Sequence, residues 1–153
     1  MELKKILLTT DFSKFSLTAT DYALDRAEHY NATIHLLHVL EKIPPILAMK
    51  TFDLSEEKIM ESLENEARAN LDELISELKK KTSVKIIPVL RKGVAYHEIV
   101  EYSQQENIDL IVLATNGHTG FMHTLLGSVA EKVVRYAKCP ILVITPKEEE
   151  ERG

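Results

Sequence analysis

Asp109–Pro146 reads DLIVLATNGHTGFMHTLLGSVAEKVVRYAKCPILVITP, and the fold is decided in this stretch. Leu110, Ile111, Val112 and Leu113 form a continuous apolar run, followed by a polar loop that contains Gly117, Gly120 and Gly127. Val129, Ala130, Val133, Val134 and Ala137 then recur at helical spacing. A short apolar run bounded by turn residues suits a strand buried on both faces, and such strands belong to parallel sheets flanked by helices. The loop therefore leaves the carboxyl end of a strand and feeds a helix. Open α/β sheets place ligands at such points, because a helix start offers unpaired backbone N–H groups and about half a positive charge.

Ser128 and Glu131 have the S-x-x-E spacing of a capping box, which makes Ser128 the expected helix cap. Arg135 and Lys138 fall in the expected last turn, where cations suit the dipole, and Pro140 stops the helix. The plainer reading is a capped helix after a turn-forming loop. Three glycines within eleven residues, each costly in chain entropy, favour a ligand loop instead.

Outward from this unit, strand and helix patterns alternate. Lys4 to Thr10 reads as a first buried strand, and Phe12 to Tyr30 as a helix with Phe15, Ala19, Tyr22, Ala23, Arg26, Ala27 and Tyr30 on its packed side. Ser13 or Ser16 caps this helix and Asn31 ends it. Thr33 to Leu40 is a second strand, and Ile43, Pro44 and Pro45 open a long irregular connection. Ser55, Glu56 and Glu57 start a long helix that ends in Lys79, Lys80 and Lys81. Val84 to Leu90 is the third strand, Gly93 a turn, and Ala95 to Glu106 a helix using Ile99, Val100 and Ser103. Ile141 to Thr145 is the fifth strand. The expected class is α/β: a single-domain, doubly wound, five-stranded parallel sheet over residues 1–146 with helices on both faces, then an acidic, solvated tail at 147–153.

Composition narrows the function. The chain has 153 residues, 44% hydrophobic and 28% charged, with a formal net charge of −5. Such an acidic balance argues against nucleic acid, which requires a basic face. No apolar stretch reaches the roughly 18 residues of a membrane span, and MELKKILLTTDFS lacks a secretory core, so a cytoplasmic location is expected. Cys139 is the one cysteine, and His35 and His38, three apart on a strand, point to opposite faces, so no protein metal site is expected. No Lys precedes Ser128 as in a Walker A motif, no G-x-S-x-G exists, and the first strand is followed by TTDFSKFS rather than a dinucleotide fingerprint.

Ala114 to Ser128 resembles the nucleotide loop of the universal stress protein family, whose pattern is Gly, two residues, Gly, nine residues, Gly, then Ser or Thr. Gly117, the nine residues His118 to Leu126, Gly127 and Ser128 match, while Ala114 stands at the first glycine. Asn116 and His118 replace the histidine and basic residue common there, which leaves phosphate more dependent on backbone N–H groups. The strand and helix order agrees along nearly the whole chain. The resemblance implies strand order 3-2-1-4-5, with Thr10 and Asp11 beside Leu113, Ala114, Asn116 and Gly117 at the switch point.

It further implies an ATP-binding or related adenine-nucleotide-binding regulatory module of the stress response, with Mg²⁺ accompanying the phosphates. Val39 would meet the adenine edge through its backbone. Asp11 would accept from ribose hydroxyls, or else cap the following helix. Gly117, Gly127, Ser128 and Val129 are the phosphate candidates, with His118, Thr119 and Gly120 as further ones, and His123 lies in the same loop. Ile141, Leu142, Val143 and Ile144 fall at a sheet edge, where a homodimer would pair the strand with its copy. Two alternatives stand beside this. One is a slow ATP hydrolase, for which Asp11 and the loop histidines are the sole candidates as base. The other is a nucleotide-free dimeric module that binds an unidentified protein partner.

Overall fold

The computed structural model of the chain describes residues 1–42, 55–115 and 127–145. The connection at 43–54, the loop at 116–126 and the acidic tail lie outside the described residues. In chain order the elements are β1 (Lys5–Thr9), α1 (Lys14–Tyr30), β2 (Thr33–Leu40), α2 (Glu56–Lys79), β3 (Ile86–Lys92), α3 (Ala95–Gln105), β4 (Leu110–Ala114), α4 (Ser128–Tyr136) and β5 (Ile141–Ile144). The strands form one parallel sheet in the order β3-β2-β1-β4-β5, as expected.

Strand alternation divides the core in two. Ile6 and Leu8 of β1 pack with Ala19, Ala23 and Ala27 of α1 and Leu71, Ile75 and Leu78 of α2. Leu7, between them, faces the other way and joins Ile111, Leu113, Ile99, Tyr102, Ala130 and Val133 under α3 and α4. All three β1 side chains are fully buried, each contributing about 1.5–3 kcal/mol. This explains why β1 and β4 read as unbroken apolar runs.

Local chemistry sets the boundaries. Ser13 caps α1 by accepting from the Ser16 N–H at 3.2 Å, and Asn31 ends it in the left-handed region at φ 55°. Ser55 caps α2 by accepting from Lys58, with Glu56 and Glu57 in the first turn. Gly93, at φ 146°, turns the chain after β3.

Four sequence expectations are corrected. The packed side of α1 is Ser16, Ala19, Thr20, Ala23, Leu24 and Ala27, while Phe15 and Tyr22 are exposed. The small residues allow close approach to the sheet, and the Ser16 hydroxyl is satisfied by the Ser13 carbonyl at 2.9 Å. β3 lies two residues later than Val84–Leu90, because Arg91 and Lys92 pair with Val39 and Leu40; an edge strand tolerates such charges, and Pro88 as well. In α4 only Ala130 and Val133 are buried, leaving Val129 and Val134 exposed. On α3, Tyr102 is buried where Val100 was expected.

Candidate functional site

β1 ends at the middle of the sheet, where the order reverses, and the chain turns there through polar contacts. Thr10 is buried; its N–H donates to the Leu37 carbonyl at 2.9 Å, and its hydroxyl oxygen accepts from the Phe12 N–H at 3.0 Å. The Thr10 and Ser16 hydroxyls lie 3.1 Å apart. Phe12 takes a left-handed φ of 66° and its ring packs against His38 at a tilt of 37°, ring centroids 4.6 Å apart. The carbonyl of Thr10 lies 2.8 Å from His38 Nδ1; a carbonyl only accepts, so Nδ1 carries the hydrogen.

Asp11 does not cap α1; Ser13 does. One Asp11 oxygen, Oδ1, accepts from the Ser13 N–H at 2.9 Å, and the side chain is otherwise exposed. Burial pushes the carboxyl pKa up, but hydrogen bonds from the Ser13 side chain and backbone and from Ser16 outweigh it and hold it below the ordinary 3.8. The group is an ionised acceptor at neutral pH and a poor base.

At the end of β4, Thr115 is buried and its N–H donates to the Ile144 carbonyl at 3.0 Å. Its hydroxyl oxygen accepts from the Gly127 N–H at 2.7 Å. The expected capping box is absent: Gly127 is the cap and Ser128 the first helical residue, with no side-chain capping bond. Two consequences follow. The Gly127 N–H, expected to face phosphate, is already used, whereas the N–H groups of Ser128 and Val129, as first-turn groups, have no intrahelical acceptor. The Ser128 hydroxyl is exposed and is not spent on a cap.

These two ends enclose a cleft of about 290 Å³. Thr10, Asp11, Val39, Leu113, Ala114, Gly127, Ser128 and Val129 all line it. Asn116, Gly117, His118, Thr119, Gly120 and His123 lie outside the described residues. Ser13, Ser16, His38 and Thr115 also line the cleft and were not anticipated. His38 had a signal, since it and His35 were expected on opposite strand faces; His35 indeed lies elsewhere, buried with Nδ1 2.6 Å from the Tyr102 hydroxyl.

Two surface features complete the picture. Among the described residues β5 pairs with β4 alone; Ile144 is buried, and Ile141, Leu142 and Val143 are half-buried. His97, Glu98 and Glu101 on α3 have ligand-type atoms within 4.8 Å of one another, but the imidazole is already paired with the two carboxylates at 3.4 and 3.6 Å. Among the described residues no helix is long and apolar enough to cross a membrane.

A model of the Universal stress protein family matches residues 2–145. Universal stress protein MJ0531 of Methanocaldococcus jannaschii is 37% identical, covering 95% of this chain and 85% of its own length. The solved structure of MJ0577 from the same organism superposes with a TM-score of 0.75 at 28% identity, covering 97% of this chain and 99% of that one. Two more distant folds were solved with adenine nucleotides. One is a universal stress protein in complex with cAMP, with a TM-score of 0.71 at 22% identity, covering 96% and 100% of the two chains. The other is an Arabidopsis thaliana family protein with AMP bound, with a TM-score of 0.62 at 18% identity, covering 96% and 94%.

Proposed function

This chain belongs to the universal stress protein family, and on that premise we propose that its cleft binds an adenine nucleotide, ATP or a close relative, as the signal of a dimeric regulatory module. The carrying observation is chemical complementarity across one cleft. An ionised acceptor, Asp11, stands on one side, and the N–H groups that open α4 stand on the other. Ribose hydroxyls suit the first and phosphate oxygens the second. The Val39 backbone at the end of β2 supplies the adenine edge, and Ala114 narrows the floor by one methyl. Asn116 and Gly117, with His118, Thr119 and Gly120 as further phosphate contacts, belong to the same proposal, although they lie outside the described residues. Mg²⁺ is held mainly by the phosphates, as it usually is with nucleotides.

The dimer forms by pairing β5 with its copy, which covers the edge left by Ile141, Leu142 and Val143. The relatives solved with cAMP and AMP support the ligand class. Hydrolysis is the weaker reading: the Asp11 carboxyl is held down and hence a poor proton acceptor, and the loop histidines, the other base candidates, lie outside the described residues. Calorimetric titration with Mg-ATP tests the proposal, with Gly127→Val, which crowds Thr115, as control. Binding in the parent and loss in the variant are expected; no heat in the parent at millimolar nucleotide overturns it.

A further inference from the structure

We infer that Thr115 is the positioning residue for the polyphosphate end of this nucleotide, its hydroxyl fixing Gly127 so that the amides of Ser128 and Val129 meet the ligand. The inference rests on the nucleotide reading above. Thr115 holds three segments together: it ends β4, its N–H donates to Ile144 at the end of β5, and its hydroxyl accepts from Gly127 at the start of α4. The last bond joins the two described residues that flank 116–126.

Among the described residues, little else holds the start of α4. The helix spans nine residues, too short to persist by itself; among the described residues Ala130 and Val133 anchor it in the core, and its later residues Lys132 and Tyr136 lie against Tyr96. Ser128 and Val129, the residues whose amides face the proposed phosphate, are exposed. A shift of a few tenths of an ångström in Gly127 therefore moves the phosphate donors directly. A Cβ added at Gly127 would stand 3.0 Å from Thr115 Oγ1, the one neighbour within 4 Å among the described residues, so a side chain at 127 would compete with that hydroxyl for its place. The same bond also consumes the Gly127 N–H, which leaves the first-turn amides of α4 as the anion donors among the described residues on this side.

Adenosine and ATP share the nucleoside but only ATP has phosphates, so the pair separates positioning from general damage. Wild type, Thr115→Val and Thr115→Ser are titrated with each by calorimetry, and exchange of the Gly127 amide is followed by NMR. Thr115→Val, isosteric but without the hydroxyl, is expected to weaken ATP about fivefold, the size of one net hydrogen bond, and to leave adenosine unchanged. Its Gly127 amide exchanges faster, and Thr115→Ser restores both readouts. Equal losses of adenosine and ATP, or undiminished ATP binding in Thr115→Val, overturn the inference. Wild type that binds neither ligand overturns the nucleotide reading itself, whereas wild type that binds both beside an equally competent Thr115→Val removes only the role of Thr115. If Thr115→Val does not fold, Gly127→Ala strains the same bond; ATP affinity equal to wild type in that variant overturns the inference.

Discussion

His38 donates from Nδ1 to the carbonyl of Thr10 at 2.8 Å, a bond across 28 residues that ties the end of β2 to the exit of β1. The same ring packs against Phe12, the residue that takes the left-handed backbone there. His38→Ala removes both contacts and is expected to cost about 1–2 kcal/mol of stability, with His38→Gln recovering part of it through its own N–H donor. Denaturant unfolding of the two variants measures this; equal midpoints for His38→Ala and wild type would contradict it.

Acid should weaken the fold in two separate windows. Burial pulls the pKa of His35 below its ordinary 6.5, with Glu106 opposing and Lys5 and Lys85 adding to the effect. The unfolded chain therefore takes up the proton first, so the contribution of His35 is intact above about pH 6.5 and declines as pH falls through that value. Asp11, held below 3.8, contributes down to about pH 4 and is lost only under stronger acid. Melting temperatures followed from pH 8 to 3 should fall first near pH 6, and His35→Gln should flatten that first fall. An unaltered slope in His35→Gln would assign it to other groups.

Much of this could be read from the sequence, and the exceptions share a cause. The run at Leu110–Leu113 and the helical spacing after Ser128 placed strand and helix correctly, because each is local chemistry. The cap of α4 was read one residue late. Gly127 caps without a side chain, and its partner Thr115 lies twelve residues back, which no local pattern reveals. The packed side of α1 was rotated because Ser16 and Thr20 look polar until their neighbours are known. β3 was shifted because an edge strand can carry Arg91 and Lys92, which a buried strand would exclude. The place of His38 in the cleft depends on a carbonyl 28 residues away and is likewise a tertiary fact.

The β5 edge yields a prediction about assembly. Val143 is half-buried and sits opposite Leu113 in the sheet register. Placing a charge there opposes edge-to-edge pairing, so Val143→Lys is expected to sediment as a monomer or to become insoluble while wild type sediments as a dimer. A stable dimer in Val143→Lys would exclude β5 as the interface.

Asp11 gives a test of how the ribose is held. With its carboxylate as acceptor for the sugar hydroxyls, Asp11→Asn is expected to weaken ATP by about tenfold, in the range for hydrogen bonds to charged groups. Loss of the 2′-hydroxyl removes one donor, so 2′-deoxy-ATP should bind less tightly than ATP to wild type and lose less on the substitution. Equal losses for both nucleotides would place the ribose elsewhere.

The central claim is that the ligand lies between Asp11 and the start of α4. Titration of ¹⁵N-labelled protein with Mg-ATP, followed by amide NMR shifts, tests it most directly. The expected result is saturable movement of the Asp11, Val39, Ser128 and Val129 amides, with those of Ser83, Val84 and Lys85, clear of the cleft, unmoved. Static Ser128 and Val129 amides at saturating nucleotide, or shifts confined to another part of the sheet, would contradict it.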